Sequence, residues 1–211
     1  MVYNRLQFIS QGANCEAQFR SISRALDAGC GWIQLRYKNL PDMQSFGLAN
    51  KVKKLCESYQ AILIVNDFPV LAKEVDADGV HLGLNDQSVA EARRMVGAEK
   101  IIGGTANTVL DVKDHMEEGC NYIGLGPFRF TTTKTRLSPI LGIEGYRQII
   151  TELNGKHKLL PIFAIGGLRS GDIAAIRAAE VYGVAVSELI ASAENPNEVV
   201  KLIHDKLYEK V

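Results

Sequence analysis

Short apolar runs alternate with longer amphipathic stretches from one end of this chain to the other. That alternation restricts the fold more than any other feature. The apolar runs are Leu6–Ser10, Trp32–Arg36, Ile62–Val65, Gly79–Leu82, Ile101–Gly104, Tyr122–Leu125, Ile162–Ile165 and Gly183–Val186. Helical patterns lie between them at Glu16–Ala28, Asp42–Tyr59, Ser88–Val96, Val109–Glu118, Glu144–Leu153 and Asp172–Ala179, with a shorter one at Phe68–Val75. Asn197–Leu207, after Pro196, reads as a closing helix. Strands separated by helices pair in parallel, because each helix returns the chain to the starting end of the sheet. Eight such units in 211 residues predict an α/β fold, a compact (β/α)8 TIM barrel near that fold's lower size limit. An open doubly wound sheet fits the same alternation, but the count of eight favours closure. No linker or low-complexity segment interrupts the pattern, so residues 1–211 read as a single catalytic domain.

In such a barrel the chemistry sits where strands end and the following loops begin. The second strand runs Gly31-Trp-Ile-Gln-Leu-Arg-Tyr-Lys38. Strand side chains alternate, so Gln34, Arg36 and Lys38 share one face and Ile33, Leu35 and Tyr37 the other. The apolar set suits the helix layer, which leaves an amide and two cations for the barrel interior or its mouth. Buried cations need a partner: an anionic ligand, or an internal ion pair with Asp67 or Asp86. The third strand ends in Val65-Asn66-Asp67, and the fourth runs into Gly83-Leu-Asn-Asp86. Two carboxylates at neighbouring strand ends suit one Mg²⁺, which takes one or two carboxylates together with water and phosphate oxygens. Each also reads as a helix cap, Asp86 ahead of Gln87-Ser88 and Asp67 ahead of Phe68-Pro69.

The sixth unit carries GLGPFRFTTTK, from Gly124 to Lys134. Thr131, Thr132, Thr133 and Lys134 supply hydroxyls and an ammonium on a loop, which suits a polyanion such as diphosphate. Alone, the segment reads equally as a polar surface loop. Ala164-Ile-Gly-Gly167 and Gly183-Val-Ala-Val-Ser187 end the seventh and eighth strands, the places where barrels often hold a phosphate on backbone N–H groups. His81 lies in the fourth strand. His115, His157 and His204 fall in helical or loop contexts and read as solvated, and none of the histidines has a metal-ligand spacing.

Composition excludes several classes of function. Lys+Arg and Asp+Glu are both 24, so net charge is +0 and a nucleic-acid or membrane-surface role driven by bulk charge is disfavoured. No apolar run is long enough to span a bilayer, and MVYNRLQFIS lacks a signal-peptide pattern. Cys15, Cys30, Cys56 and Cys120 have no CxxC spacing and read as reduced structural thiols of a cytoplasmic protein. The oligomeric state is not legible, and a homo-oligomer is compatible with the sequence.

Taken in order, QLRYK (Gln34–Lys38), VNDFPVLAKEVDADGVHLGLND (Val65–Asp86), IIGGTANT (Ile101–Thr108), GLGPFRFTTTK, AIGGL (Ala164–Leu168) and GVAVS resemble the thiamine phosphate synthase (thiamine-phosphate pyrophosphorylase) family over nearly the whole chain. The resemblance implies a Mg²⁺-dependent transferase. It couples aminomethylpyrimidine diphosphate with thiazole phosphate to give thiamine phosphate and diphosphate, the diphosphate leaving first. Carried over by position, Gln34, Arg36, Lys38, Asn66 and Lys134 would hold the diphosphate and pyrimidine, and Asp67 and Asp86 would bind Mg²⁺. Thr105 stands where the family commonly has serine, beside the reacting centre. Thr131 and Thr133, with backbone at Gly167 and at Ser187 and Glu188, would contact the thiazole phosphate. A leaving diphosphate gains negative charge, so fixed cations favour its transition state over its ground state, and no strong general base is required.

Three departures from the family pattern stand out. The first strand ends Phe8-Ile-Ser-Gln11 without the Thr-Asp often found there, and Thr132 replaces a proline. Glu188 stands where the family has serine, unless Ser187 shifts by one position; its side chain is expected to turn to solvent or a lysine. A thiazole tautomerase on the same barrel would carry a histidine just after the fifth strand, where this chain has Gly104-Thr-Ala-Asn107. A non-catalytic thiamine-phosphate-binding regulator would need no carboxylate pair. A sugar-phosphate isomerase would need paired acid and base residues, which are not evident.

Overall fold

A computed structural model describes residues 3–37, 42–130, 139–153 and 160–209. Its elements run β1 (Leu6–Ile9), α1 (Cys15–Asp27), β2 (Trp32–Leu35), α2 (Asp42–Ser58), β3 (Ile62–Asn66), α3 (Pro69–Glu74), β4 (Gly79–Leu82), α4 (Val89–Val96), β5 (Ile101–Ala106), α5 (Val109–Glu117), β6 (Tyr122–Leu125), α6 (Gly142–Leu153), β7 (Ile162–Ile165), α7 (Ile173–Ala178), β8 (Gly183–Val186), α8 (Glu188–Ala191) and α9 (Pro196–Tyr208). The strands close as β1-β2-β3-β4-β5-β6-β7-β8, every pair parallel, with β1 also joined to β8. Closure rather than an open sheet is therefore the outcome.

Alternation divides each strand between two cores. Leu6, Phe8, Ile33, Leu35, Leu63, Val65, Val80 and Leu82 belong to the layer between sheet and helices. Ile9, Trp32, Ile64, Ile101, Tyr122, Phe163 and Ala185 fill the lumen, together with Tyr3. The lumen packs large against small. A Cβ on Gly103 would stand 2.2 Å from the Tyr122 ring, and one on Gly183 2.8 Å from that of Phe163, so these glycines make room for their neighbours' rings.

Helix starts follow local chemistry. Asn14 caps α1 by accepting from the Ala17 N–H, and Ser88 and Thr108 open α4 and α5 with reciprocal capping boxes to Glu91 and Asp111. Two differences from the sequence reading matter for the site. Strand β5 runs on through Thr105 and Ala106, which makes Thr105 a lumen residue. A short helix, α8, follows β8 directly and begins at Glu188. Cys15, Cys30, Cys56 and Cys120 are free thiols; burial pushes the pKa of Cys30, Cys56 and Cys120 up to about 12, as inert packing thiols require.

Candidate active site at the carboxyl end of the barrel

The carboxyl ends of the strands gather most of the polar residues singled out in the sequence. Gln34 and Asn66 lie in the lumen, 1% and 8% exposed, and Thr105 is 5% exposed at the upper end of β5. Arg36 follows β2 directly and is half-buried. Its backbone N–H donates to Ser10 Oγ at 2.9 Å, and its carbonyl accepts from Gln18 Nε2 at 3.3 Å, so the residue is tied to β1 and α1. Burial lowers the Arg36 pKa, and the charge of Asp67 opposes that shift. The cation thus sits in a partly desolvated place near a carboxylate, where charge interactions are stronger than in open water. Lys38, Thr131, Thr132, Thr133 and Lys134 lie outside the described residues.

The capping expectations for the two carboxylates are corrected. Phe68, not Asp67, holds the N-cap position of α3, and no side chain bonds there. Asp67 instead adopts a left-handed backbone, φ 67°, and its N–H donates to the His81 carbonyl at 2.8 Å, which stitches the end of β3 to β4. Ser88 caps α4, while Asp86 folds back to accept from the Gly83 N–H at 2.6 Å. Asp67 through its backbone N–H and Asp86 through its carboxylate thus tie down neighbouring strand ends, β3 and β4 being hydrogen-bonded partners. No group of three or more His, Cys, Asp or Glu side chains gathers among the described residues. Asp67 and Asp86 are oxygen donors, the chemistry that Mg²⁺ takes together with water and phosphate oxygens.

Across the mouth the β6 loop clasps the β7 loop. Gly166 and Gly167 have φ of 94° and 67°, and a Cβ on Gly166 would meet Pro127 at 2.8 Å. Three successive carbonyls face the β6 loop: Ile165 O accepts from the Phe128 N–H at 2.8 Å, Gly166 O from the Arg129 N–H at 3.0 Å, and Gly167 O from Arg129 Nη1 at 2.6 Å. In trans peptides N–H opposes C=O, so the N–H groups of Gly166, Gly167 and Leu168 point away from that loop. Such a row of donors is the kind that binds an anion. Arg129 is fixed in turn by Asp172, with Nη1–Oδ2 at 2.8 Å and Nη2–Oδ1 at 3.0 Å. The pairing raises the Arg129 pKa and lowers that of Asp172.

Ser187 and Glu188 close the ring at β8. Glu188 is exposed, as expected, and also meets Gln11: Gln11 Nε2 donates to its Oε2 at 2.9 Å, and Ser187 Oγ donates to Gln11 Oε1 at 3.2 Å. The residues that depart from the family pattern at the ends of β1 and β8 are thus bonded to each other. His115 corrects another expectation. It is only 9% exposed, behind the sheet, with Nε2 2.8 Å from the Thr105 carbonyl. His204 is half-buried, and burial lowers its pKa. His157 lies outside the described residues.

Sequence reasoning overlooked Gln7, Tyr122, Arg129 and Asp172 and left His81 unplaced. Parity could have placed Gln7 and His81, which share the inward face with Ile9 and Gly79. Nothing in the local sequence marks the Arg129–Asp172 pair, which spans 43 residues.

The fold and this ring define a class, a (β/α)8-barrel enzyme with its chemistry at the carboxyl ends of the strands. A family model described as thiamine monophosphate synthase matches residues 6–190. A thiamine-phosphate synthase of Flavobacterium johnsoniae is 50% identical over 210 residues, spanning 100% of this chain and 99% of its own. The solved thiamine phosphate pyrophosphorylase of Pyrococcus furiosus superposes with a TM-score of 0.83 at 26% identity, over 96% of this chain and 95% of that one. A 3-hexulose-6-phosphate synthase structure, at TM-score 0.72 and 14% identity over 97% and 100% of the two chains, shares the fold alone. This chain belongs to the thiamine monophosphate synthase family, and it is an enzyme of thiamine-phosphate synthesis.

Proposed function

We propose that the enzyme joins an aminomethylpyrimidine diphosphate to a thiazole phosphate, with diphosphate as the leaving group and Mg²⁺ as cofactor. The observation that supports this reading is the division of the mouth into a half that carries a cation and two oxygen-donor carboxylates and a half that presents backbone N–H groups. Asn66 ends β3, Arg36 and Asp67 directly follow β2 and β3, Asp86 lies in the loop after β4, and the Gly166–Leu168 N–H row stands on the far side, after β7. A substrate pair with a diphosphate on one partner and a monophosphate on the other matches that division.

In this reading Arg36 binds the diphosphate and stabilises the charge that grows on its leaving oxygen. Gln34 and Asn66 orient the pyrimidine, and Thr105 touches the reacting end. Asp67 and Asp86 would hold Mg²⁺, which on binding neutralises diphosphate charge. Lys38, Lys134, Thr131 and Thr133 join these roles on the sequence resemblance alone. The backbone at Gly167 and at Ser187 and Glu188 receives the thiazole phosphate. No side chain need act as a strong base. Asn107, where a tautomerase would carry its histidine, is 7% exposed and donates from its side chain to the Gly126 carbonyl.

The test is to incubate the purified protein with both substrates and follow thiamine phosphate and diphosphate, with Mg²⁺ and with EDTA. Product that appears only with metal is expected. No product with metal overturns the assignment, and an unchanged rate in EDTA overturns the metal role.

A further inference from the structure

Below the mouth, one line of side-chain hydrogen bonds crosses the lumen. Gln34 Nε2 donates to Gln7 Oε1 at 3.4 Å, and Gln7 Nε2 donates to Tyr122 Oη at 3.2 Å. Tyr122 Oη lies 3.0 Å from His81 Nδ1, and His81 Nε2 lies 3.0 Å from Thr105 Oγ1. All five side chains are buried, none more than 5% exposed. Gly124 belongs to the same construction, since a Cβ there would stand 3.2 Å from His81 Cε1. From outside the sheet, His115 holds the Thr105 carbonyl, so Thr105 is fixed at both its side chain and its backbone.

Donor inventory gives the line a direction. An amide NH₂ only donates, and a phenol has one proton and room to accept. Tyr122 Oη accepts from Gln7 and also has a side-chain hydrogen bond from Gln34. Burial pushes the phenol's pKa up, so the proton stays on Tyr122. That single proton then goes to the remaining neighbour, His81 Nδ1. A neutral imidazole accepting at Nδ1 carries its hydrogen on Nε2, where it meets Thr105 Oγ1. The threonine hydroxyl accepts there and keeps its own proton for another partner.

We propose that His81 and Tyr122 are positioning residues that make the Thr105 hydroxyl a hydrogen-bond donor to an acceptor atom of the diphosphate substrate. The inference rests on the function proposed above, and it assigns Thr105 a polarity that its presence at the strand end does not. In the opposite polarity, with His81 protonated at Nδ1, Thr105 would donate to the imidazole and offer the substrate only lone pairs. The amide orientations of Gln7 and Gln34 decide between the two. In the observed arrangement, each amide nitrogen faces an oxygen that can accept.

The first measurement needs no substrate. Long-range ¹H–¹⁵N correlation on ¹⁵N-histidine-labelled, ligand-free protein reads the tautomer of each imidazole, and loss of one signal in His81→Gln assigns it. The Nε2–H form is expected for His81, with a mixture of tautomers in Tyr122→Phe. The Nδ1–H form in the parent overturns the proposal. Kinetics supply the second readout. His81→Gln keeps an N–H donor near the ε position and should retain roughly tenfold more kcat than His81→Leu, the worth of about one hydrogen bond. Tyr122→Phe should lower kcat about tenfold, with both KM values within about threefold. Equal kcat in the parent and these variants also overturns it. A parent without coupling activity would remove the function, yet the tautomer measurement would still decide the direction of the line.

Discussion

Trp32, Tyr122 and Phe163 meet in the lumen with centroid separations of 5.0, 5.1 and 5.7 Å, all edge to face, while Gln34, His81 and Thr105 are linked through Gln7 and Tyr122 by hydrogen bonds. The same barrel builds both groups. The first is fixed by volume, large rings seated against glycines, and it excludes water. The second keeps polar atoms in a place where each needs a partner. The ring cluster should therefore carry stability with little chemistry, and the mouth chemistry with little stability. Tyr122 belongs to both groups, its ring in the cluster and its hydroxyl in the line of hydrogen bonds.

The sharpest way to break that contrast is to empty the ring cluster. Phe163→Ala should cost about 3–5 kcal/mol of unfolding free energy, read by urea denaturation, and lower Tm by roughly 6–20 °C for a chain of this size. The folded fraction should keep KM for both substrates within about threefold. A stability loss under about 1 kcal/mol would mean that the rings do not hold the barrel closed.

The converse test removes charge from the mouth. Arg36→Ala should cut kcat/KM by roughly a hundredfold to a thousandfold, the scale set by losing one charged stabiliser of a leaving group. Its unfolding free energy should change far less than that of Phe163→Ala, because burial works against this cation while the charge of Asp67 favours it. A variant with full activity would return Arg36 to a structural ion pair with Asp67.

Arg129 tests whether the far half of the mouth is held from outside the lumen. Arg129→Ala frees the Gly167 carbonyl and leaves Asp172 without its bidentate partner. KM for thiazole phosphate should rise roughly tenfold, while KM for the pyrimidine diphosphate stays within about threefold. Asp172 adds a pH signature. Its folded-state pKa is lowered, chiefly by the Arg129 hydrogen bond, so its stabilisation is present above the unfolded carboxylate pKa and is lost as pH falls through the folded value. The difference in Tm between parent and variant should accordingly be largest near neutrality and shrink in acid. A difference that is constant across that range would mean that the bridge contributes nothing.

Much of this architecture is legible in the sequence. Period-two alternation placed Gln34 and Arg36 apart from Ile33 and Leu35, because strand geometry ties parity to side. The order of apolar runs gave the parallel closure. Chain-distant pairing was not legible. Local pattern allowed Asp86 to cap a helix, but Ser88 took the cap through its box with Glu91, and Asp86 turned back on Gly83. His115 read as a solvated helix residue, yet helix α5 turns it inward against β5, where Gly104 leaves space for the ring. The line from Gln34 to Thr105 joins residues of β1, β2, β4, β5 and β6, and only closure of the barrel brings them together.

The smallest effect is expected at Glu188, where a carboxylate stands beside a proposed phosphate site. A carboxylate aimed at a phosphate would repel it, and removing its charge would then tighten binding. The structure instead engages Oε2 with the Gln11 amide, and Gln11 is held in turn by Ser187. Glu188→Gln keeps an oxygen that can accept from Gln11, so the seam between β1 and β8 should survive. KM for thiazole phosphate should change by less than about tenfold, or about 1.4 kcal/mol. Gln11→Ala removes the amide that engages the carboxylate, and it should raise that KM more than Glu188→Gln changes it. If Glu188→Gln lowered KM by well over tenfold, the carboxylate would be opposing phosphate in the parent, and the thiazole phosphate would have to sit elsewhere than at β8.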